Sequence, residues 1–385
     1  MKKLNSAQFD ALTPITDVEV KDELRWACHK IKTLAIKMGD KFPSACAVNN
    51  RYLLKDNNDW TNGFWTGMLL IAYEFTGDVF FKNKLQEIID SFVSRLTNHV
   101  VLDHHDIGFL YSLSLLAAKQ VFKTEEFDSA IVLAADKLIA RYHSDAKFIQ
   151  AWGYMDNDQE YRLIIDSLIN LPLLYRAHEI SGDDNYASVA VNHFKRVTEN
   201  IFREDNSSYH TYFFDRVSKL PLKGETFQGY SDSSCWARGQ AWALLGLPLT
   251  YKYHPELADS EKYTAVCEYF FSHLPEDGIP YWDLHFKAED NQPRDSSALS
   301  IAICGLLEAS KLFEHADYQQ LSRKLLKSLS DHMTSRDDED CDGLLKHGVY
   351  AFALGKGIDE CNVWGDYYYM EALYRVYSNQ WRTYW

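Results

Sequence analysis

The chain alternates between two kinds of helical segment, and this alternation restricts the fold more than any other feature of its 385 residues. Six segments are apolar around most of their circumference and open with polar or aromatic residues. They begin near Asp59, His105, Arg162, Trp236, Arg294 and Trp364. Six others carry apolar residues at three- and four-residue spacing, as amphipathic helices do. They begin near Val18, Phe80, Glu125, Asp184, Asp259 and Tyr318.

The two kinds of segment together predict a layered, all-α architecture. A helix that is apolar all round must be buried, and an amphipathic helix can cover it with its apolar face. Short links make consecutive helices antiparallel neighbours, so six hairpins in a ring give an (α/α)6 barrel with the apolar helices inside. No linker divides residues 1–385, and we expect a single domain. Only 207–215 and 277–284 resemble strands, which we expect as short hairpins in loops.

In such a ring every inner helix runs in the same direction, so the six helix starts meet at one opening. The residues at these starts are Asp59, Asp106, Asp166, Arg238, Asp295 and Asp366. The segments that lead into them supply Trp60, Trp65, Trp152, His210, Gln228 and Trp236. Flat aromatic rings stack on the C–H faces of sugars, and concave sites with a few polar groups bind small ligands. The pattern therefore favours a carbohydrate pocket.

Composition narrows the classes of partner. The formal net charge of -15 argues against nucleic acid and against an anionic membrane surface. No apolar run approaches the length of a membrane span, and the first residues lack the apolar stretch of a secretory signal. The seven cysteines are odd in number and contain no CxxC pair, which indicates reduced thiols and a cytoplasmic location. The sequence leaves the oligomeric state open.

The stretch "LDHHDIGFLY", residues 102–111, places two histidines and two carboxylates before an apolar run. Adjacent histidines within a helix cannot face one pocket, so we do not expect His104 and His105 to share a metal ion. No HExxH motif, CxxC pair or EF-hand loop accompanies them, and no metal is predicted. A GxSxG elbow and a P-loop are also missing, which leaves serine hydrolases and nucleotide enzymes without support.

The carboxylates at the helix starts have two interpretations. Aspartate is a favoured N-cap, and capping is the larger expectation for Asp59, Asp295 and Asp366. Asp166 differs because apolar residues flank it on both sides, so burial should raise its pKa and allow a protonated acid near neutral pH. Asp106 begins the neighbouring inner helix. Packed helix axes lie about 8–10 Å apart, so two inward carboxyls at the same level could approach to the range used by paired-carboxylate glycosidases.

An ordered set of motifs then resembles a known family. These motifs are "NDWTNGFWTG", "LDHHDIGFLYSLS", "IQAWG", "RLIIDSLINLPLL", "SSYHTYFFD", "CWARGQAWALLG", "PYWD", "RDSSALSIAICGLLE" and "VWGDYYYMEAL". In this order they resemble the unsaturated glucuronyl hydrolases of glycoside hydrolase family 88. The resemblance runs from about Arg51 to Tyr377, which is nearly the whole chain.

The resemblance implies an (α/α)6 barrel that removes a 4,5-unsaturated uronic acid from the non-reducing end of oligosaccharides left by polysaccharide lyases. In the family a carboxylic acid protonates C4 of the vinyl ether, water adds at C5, and the hemiketal opens. It implies that Asp166 is the acid/base and Asp106 the second essential carboxylate. The implied substrate-binding residues are Trp60, Trp152, His210, Gln228, Arg238 and Trp242. No metal or organic cofactor is implied, and the partner is the unsaturated oligosaccharide.

One departure bears on specificity. Family members that favour sulphated substrates tend to carry Ser-x-x-Ser-x-Lys before the last inner helix, whereas residues 351–356 here read AFALGK. The lysine remains and both serines are missing, so we expect a preference for unsulphated hyaluronan- or chondroitin-type disaccharides. Three alternatives stay open: an unsaturated rhamnogalacturonyl hydrolase acting on pectin fragments, a glycosidase acting on saturated sugars, and a non-catalytic sugar-binding barrel.

Overall fold

A computed structural model of the protein describes Leu4 and residues 6–385. Two concentric sets of helices form a ring. The outer helices are α1 (Asp17–Met38), α3 (Val79–Thr97), α6 (Asp128–Ile139), α9 (Asp184–Asn200), α11 (Ser260–Ser272) and α13 (Ala316–Met333). The inner segments are α2 (Asn62–Thr76), α4 (Ile107–Tyr111), α5 (Ala117–Phe122), α7 (Ser167–Asn170), α8 (Pro172–Ser181), α10 (Ala237–Tyr253), α12 (Ser296–Leu312) and α14 (Val363–Tyr377).

The inner helices close on themselves. Each packs against the next in the order α2, α4, α7, α10, α12 and α14, and α14 returns to α2. The outer helices cover this ring: α1 packs on α14 and α2, α6 on α4 and α8, and α13 on α12 and α14. Nearly every side chain of α10, α12 and α14 is buried, whereas the outer helices bury one face. The predicted (α/α)6 barrel is therefore confirmed.

Two inner helices are interrupted near their starts. The second continues from α4 through a π-helical segment, Ser112–Leu116, before α5 begins. Such π segments inside α-helices often occur at functional sites. The third is divided between α7 and α8, where Pro172 begins the second part. Proline has no N–H to donate to the preceding turn, which explains the break, and its fixed φ suits the first turn of a helix.

The strands lie in the loops between helices and form small antiparallel sheets. They are β1 (Phe42–Pro43), β2 (Leu54–Lys55), β3 (Tyr142–His143), β4 (Phe148–Ile149), β5 (Arg162–Ile164), β6 (Thr211–Phe214), β7 (Pro221–Glu225), β8 (Gly348–Ala351) and β9 (Lys356–Glu360). The strand expected within 207–215 is confirmed by β6. The hairpin expected at 277–284 is wrong, because that segment makes only isolated bridges from Tyr281 and Asp283.

The third inner helix also starts later than predicted. Arg162 belongs to β5, which pairs with β6, and the helix begins only at Ser167. The apolar run 163–165 is compatible with a strand as well as with a helix, and the partner strand decides the outcome. As a result, Asp166 stands at the junction between a strand and a helix.

The end of the barrel formed by the inner-helix C-termini is filled by side chains and by the last residues. The ring of Trp385 stacks on Tyr368 at 6.1 Å, and its Nε1 donates to Glu371 (2.9 Å). Glu371 also accepts from the buried guanidinium of Arg375 (2.8 Å). Lys252 Nζ donates to the carbonyl of Trp385 (2.9 Å). Opposite charges compensate each other here, so this end is closed without an unpaired ion.

No helix within the described part of the chain, Leu4 and residues 6–385, is long and apolar enough to cross a membrane.

One close approach between two inner helices depends on a glycine. A Cβ added at Gly305 of α12 would lie 2.4 Å from the carbonyl oxygen of Leu244 in α10. We expect Gly305→Ala to force these helices apart and to lower the free energy of unfolding by about 1–3 kcal/mol. Thermal or urea unfolding followed by circular dichroism measures this. Ser310→Ala in α12, whose hydroxyl bonds only to its own helix, is the control and should change little. Equal effects of the two variants would contradict this packing argument.

Candidate active site

At the opposite end of the barrel, one imidazole lies between two carboxylates. His105 Nε2 is 3.3 Å from Asp106 Oδ1 and 3.2 Å from Asp166 Oδ1. The histidine side chain is 1% exposed, and those of Asp106 and Asp166 are 14% and 17% exposed. Ala151 joins the two segments, because its carbonyl accepts from the His105 amide and its amide donates to the Arg162 carbonyl.

The environments push the pKa values of the two carboxyls in opposite directions. Burial raises the pKa of Asp166, the charge of Asp106 adds to this, and His105 only partly opposes it, so the net shift is upward. Burial acts on Asp106 too, but His105 and His104 outweigh it and lower its pKa. For His105, burial lowers the pKa, whereas the two carboxylates raise it, with a net rise. Paired groups with separated pKa values suggest an acid at Asp166 and an ionised partner at Asp106.

His104 and His105 both contact Asp106. The prediction that adjacent histidines cannot face one pocket assumed that they lie within a helix. They precede α4 rather than lying within it. His104 Nε2 lies 3.0 Å from the Val101 carbonyl, and His104 Nδ1 accepts from the Asp106 amide (3.1 Å). Donor atoms of His105, Asp106 and Asp166 also lie within 4.8 Å of one another, close enough for a cation. The absence of a metal from the reaction therefore stays a prediction.

Aromatic rings from four inner helices form one wall. Trp60, just before α2, stacks on Trp364 at 5.5 Å and donates its Nε1–H to the hydroxyl of Tyr350 (2.9 Å). Phe109 of α4 lies 5.5 Å from Trp60 and 5.3 Å from Trp242 of α10. Trp60 is half-buried, whereas Trp242 is buried and joins this wall through its contact with Phe109. The wall therefore offers the face or edge of Trp60, with Phe109 between Trp60 and Trp242.

Arg238 holds the adjoining polar wall together. Its buried guanidinium forms an ion pair with Asp295 (2.9 Å) and donates to the Tyr350 carbonyl (2.6 Å). The same guanidinium donates to Gln228 Oε1 (2.8 Å). Since the Gln228 oxygen is used in this way, its amide N–H group is the part left to donate to a ligand. Arg238 was predicted as a substrate ligand, and the structure uses its terminal nitrogens to orient neighbouring groups.

The surroundings of His210 keep it a neutral hydrogen-bond donor. Its Nδ1 accepts from the backbone amides of Phe227 (2.9 Å) and Gln228 (3.3 Å), so the proton must be on Nε2. Burial, with the charge of Arg238 added, lowers the pKa of His210 to about 3. Its ring packs against Trp236 at 4.5 Å. A histidine that stays uncharged over the working pH range can donate one hydrogen bond without adding charge to the pocket.

A third wall contains residues that sequence reasoning missed. The Arg162 guanidinium lies 4.9 Å from the ring centre of Trp152 and 4.4 Å from that of Phe227, which are typical cation–π distances. Phe227 is perpendicular to Trp152 and remains 46% exposed. An exposed aromatic ring held in place by a buried arginine offers a surface for a second sugar ring. The one sequence signal for a role of Phe227 in the site is its position directly before Gln228, a predicted substrate-binding residue.

Other residues predicted at the opening have different positions. Asp295 caps α12 as expected, accepting from the Ser297 amide. Asp59 and Asp366 do not cap their helices, whose N-cap residues are Thr61 and Asn362.

Asp366 is instead fully buried one turn into α14. It accepts from the Leu344 and Leu345 amides and from the Tyr52 hydroxyl, and burial raises its pKa to about 6. Trp65 is buried inside α2, away from the opening, because the helix starts at Asn62, before it.

An aromatic pocket with two carboxylates at one end of an α/α barrel is the site of a carbohydrate-processing enzyme. Residues 34–380 match the model of Glycosyl Hydrolase Family 88. The chain is 42% identical over 376 residues to an unsaturated chondroitin disaccharide hydrolase of Streptococcus agalactiae, covering 96% of this chain and 94% of the relative. It is 41% identical to an unsaturated glucuronyl hydrolase of Bacillus sp. GL1, covering 88% and 92%.

Comparison with solved structures indicates the same family. A crystal structure of unsaturated glucuronyl hydrolase from Streptococcus agalactiae superposes with a TM-score of 0.94 at 41% identity, covering 100% of this chain and 98% of the other. A variant of that enzyme solved with dGlcA-GalNAc6S gives a TM-score of 0.87 at 39% identity, with the same coverage. The chain belongs to glycosyl hydrolase family 88 and is a hydrolytic enzyme.

The position of His105 leads to a prediction about pH. Its positive charge lowers the pKa of Asp166, so His105→Gln should raise that pKa further. If Asp166 acts as the protonated acid, turnover persists to higher pH, and the basic limb of the kcat profile moves upward while kcat itself falls. His99→Gln, at an exposed histidine of the preceding loop, is the control. A basic limb that stays in place, or moves to lower pH, would contradict the assigned role of His105.

Proposed function

We propose that the chain removes 4,5-unsaturated uronic acid from the non-reducing end of lyase-generated glycosaminoglycan-type oligosaccharides, by hydration of the C4=C5 vinyl ether. The observation that carries this is the pair Asp166 and Asp106, whose pKa values are shifted apart around His105. Protonation of an electron-rich alkene carbon needs a positioned carboxylic acid that is still protonated when substrate binds. Asp166 has the burial for this role.

In the proposed reaction, Asp166 acts first as an acid and then as a base. The Asp166 O–H proton goes to C4 of the alkene, and a water oxygen bonds to C5. The Asp166 carboxylate then takes one proton from that water, which leaves a hydroxyl on C5 and restores the acid. The resulting hemiketal opens when the bond between C5 and the ring oxygen breaks: the hydroxyl proton passes to that oxygen and C5 becomes a ketone. The hemiacetal left at C1 then collapses to an aldehyde, and its hydroxyl proton goes to the leaving sugar oxygen as the bond to the remaining sugar breaks. Asp106 stays ionised and, through His105, keeps the pair close to charge balance.

The walls of the pocket offer aromatic rings for stacking against sugar rings and N–H donors for their oxygen atoms. Trp60 and Trp152 are half-buried rings on two sides of the opening. The N–H groups of His210 and Gln228 are donors for hydroxyl or carboxylate oxygens, held in place by backbone amides and by Arg238. We propose that these residues bind the unsaturated uronyl unit, and that the buried Trp242 supports them from the interior through Phe109. We also propose a cytoplasmic enzyme, which the free state of all seven cysteines supports.

The decisive variant is Asp166→Asn, which keeps the shape of the side chain and removes the proton donor. We expect kcat to fall by about 10²–10⁴-fold, the usual contribution of general acid–base catalysis, while substrate binding stays detectable. The loss of absorbance of the conjugated double bond measures turnover, and calorimetry measures binding. Asp156→Asn, at an exposed aspartate of the loop before β5, is the matched control. Near-normal turnover by Asp166→Asn would overturn the mechanism.

A substrate panel separates the alternatives. Unsaturated chondroitin and hyaluronan disaccharides should be turned over fastest. A pectin-derived unsaturated rhamnogalacturonan disaccharide, turned over faster, would favour the rhamnogalacturonyl hydrolase instead. A saturated glucuronide hydrolysed at a comparable rate would favour a displacement at the anomeric carbon. That alternative has some geometric basis, since the two carboxylates approach within 4.8 Å and retaining glycosidases use about 5–5.5 Å.

We further propose a preference for unsulphated substrates. Lys356 Nζ lies over the ring of Tyr350 at 4.2 Å, and Tyr350 in turn accepts from Trp60, so this cation is near the pocket wall. The two positions where sulphate-preferring members carry serine are Ala351, which is buried, and Leu354, which is 77% exposed. Neither side chain can donate to a sulphate oxygen.

The double variant Ala351→Ser and Leu354→Ser tests this proposal. Two added hydroxyl donors beside Lys356 should raise the ratio of kcat/KM for a 6-sulphated over an unsulphated chondroitin disaccharide by about ten-fold. The wild-type ratio should be below one. Val217→Ser, at an exposed apolar residue outside the pocket, is the control. A wild-type enzyme that prefers the sulphated disaccharide would refute the proposal.

A further inference from the structure

The helix that begins beside Asp106 is capped in an unusual way. Asp106 occupies the N-cap position of α4, where an aspartate side chain normally accepts from the amide of the second or third helical residue. Here the Asp106 carboxylate makes no such bond. The amide of the third residue, Phe109, donates instead to Oδ1 of Asn170 (2.9 Å), sixty-one positions further along the chain. The cap of α4 therefore comes from a different inner helix.

The other end of the same amide reaches the backbone of Asp166, the residue that carries the second carboxylate. Asn170 Nδ2 donates to the backbone carbonyl of Asp166 (3.3 Å), and the Asn170 side chain is almost fully buried. Asp166 is itself at the N-cap position of α7, and its carboxylate also makes no capping bond. One primary amide therefore connects the first turn of α4 with the backbone of the acid, and both carboxylates remain free of their usual helix partners.

The backbones approach closely enough for this because Gly108 has no side chain. A Cβ at Gly108 would lie 2.4 Å from Cα of Asn170, which is backbone and cannot move aside. Gly108 and Asn170 together fix the distance between α4 and α7. Through the residues that precede each helix, they also fix the separation of Asp106 and Asp166.

We infer that Asn170 is a positioning residue, which takes over the capping of α4 so that the Asp106 carboxylate can contact His105 and face the substrate. Without the Asn170 amide, the Phe109 N–H would be a buried donor with no partner. The usual acceptor for the amide of the third helical residue is the side chain at the N-cap position, which here is the Asp106 carboxylate. Asp106 would then turn toward its own helix and away from His105. The inference rests on the proposed function only in that the two carboxylates do the chemistry.

The first experiment compares Asn170→Ala with Asn170→Asp. Asn170→Ala should lower kcat by ten-fold or more with a smaller change in KM, because the carboxylate geometry changes more than the sugar-binding walls. Asn170→Asp keeps the acceptor for Phe109, and when protonated it also keeps the donor to Asp166. It should therefore retain more turnover than Asn170→Ala at acid pH and lose that advantage as pH rises and the new carboxyl ionises. Identical pH profiles for the two variants would overturn the inference.

Matched controls separate positioning from simple loss of a buried amide. Asn362 is likewise buried and caps an inner helix, accepting from the Gly365 amide (2.8 Å), but it does not contact either carboxylate. Asn362→Ala should lower the melting temperature to a similar degree without lowering kcat as Asn170→Ala does. Gly108→Ala, which forces α4 and α7 apart without removing any polar group, should lower kcat in the same direction as Asn170→Ala.

If circular dichroism shows that Asn170→Ala is folded, two further measurements test the positioning role of Asn170. In the Asp106→Asn background, Asn170→Ala should reduce kcat by no more than about two-fold further, because the carboxylate it serves is already gone. A crystal structure of Asn170→Ala should show an Asp106 oxygen within about 3 Å of the Phe109 nitrogen. Wild-type kcat in Asn170→Ala, or full additivity with Asp106→Asn, would overturn this role while leaving the proposed function intact. Normal turnover by Asp166→Asn would overturn the proposed function itself.

Discussion

Two carboxylates that share a largely water-free space repel each other, and the rest of the site depends on how that repulsion is relieved. His105 relieves it by standing within 3.3 Å of both Asp106 and Asp166. The imidazole opposes the negative charge of both groups, while the different environments shift the pKa of Asp166 upward and that of Asp106 downward. To hold it, the loop before α4 and the strand before α7 must meet. Ala151 connects them through its own amide and carbonyl.

Most of the barrel could be predicted from sequence because helical hairpins are local structures. The alternation of apolar and amphipathic segments reports burial directly, and closure of the ring follows from six equal repeats. The errors fall where a distant partner decides the conformation. Residues 162–164 become a strand because β6, nearly fifty positions away, pairs with them. Asp366 becomes a buried acceptor because the loop at 344–345 folds over α14.

The candidate site likewise contains residues that could be predicted from sequence and contacts that could not. Asp106 and Asp166 could be located because helix starts are readable and all of them converge at one opening. Their pairing could also be predicted, but the imidazole between them could not, because the sequence presents His105 only as half of a histidine pair. Arg162 and Asn170 were also missed, since nothing in their local sequence shows that one supports two aromatic rings and the other connects two helices. These roles exist only in the contacts between elements.

The filled end of the barrel limits how a polysaccharide can be processed. Trp385, Glu371 and Arg375 are buried in the barrel interior, and the Trp385 ring lies 6.2 Å from that of Phe109 in the aromatic wall. The pocket is therefore blind, and only the terminal unit of an oligosaccharide can reach its bottom. A released monosaccharide must leave by the entrance it used, after the shortened chain has withdrawn. Each cut requires a fresh encounter, so such an enzyme would work best on short fragments and would gain little from long, continuous polymers.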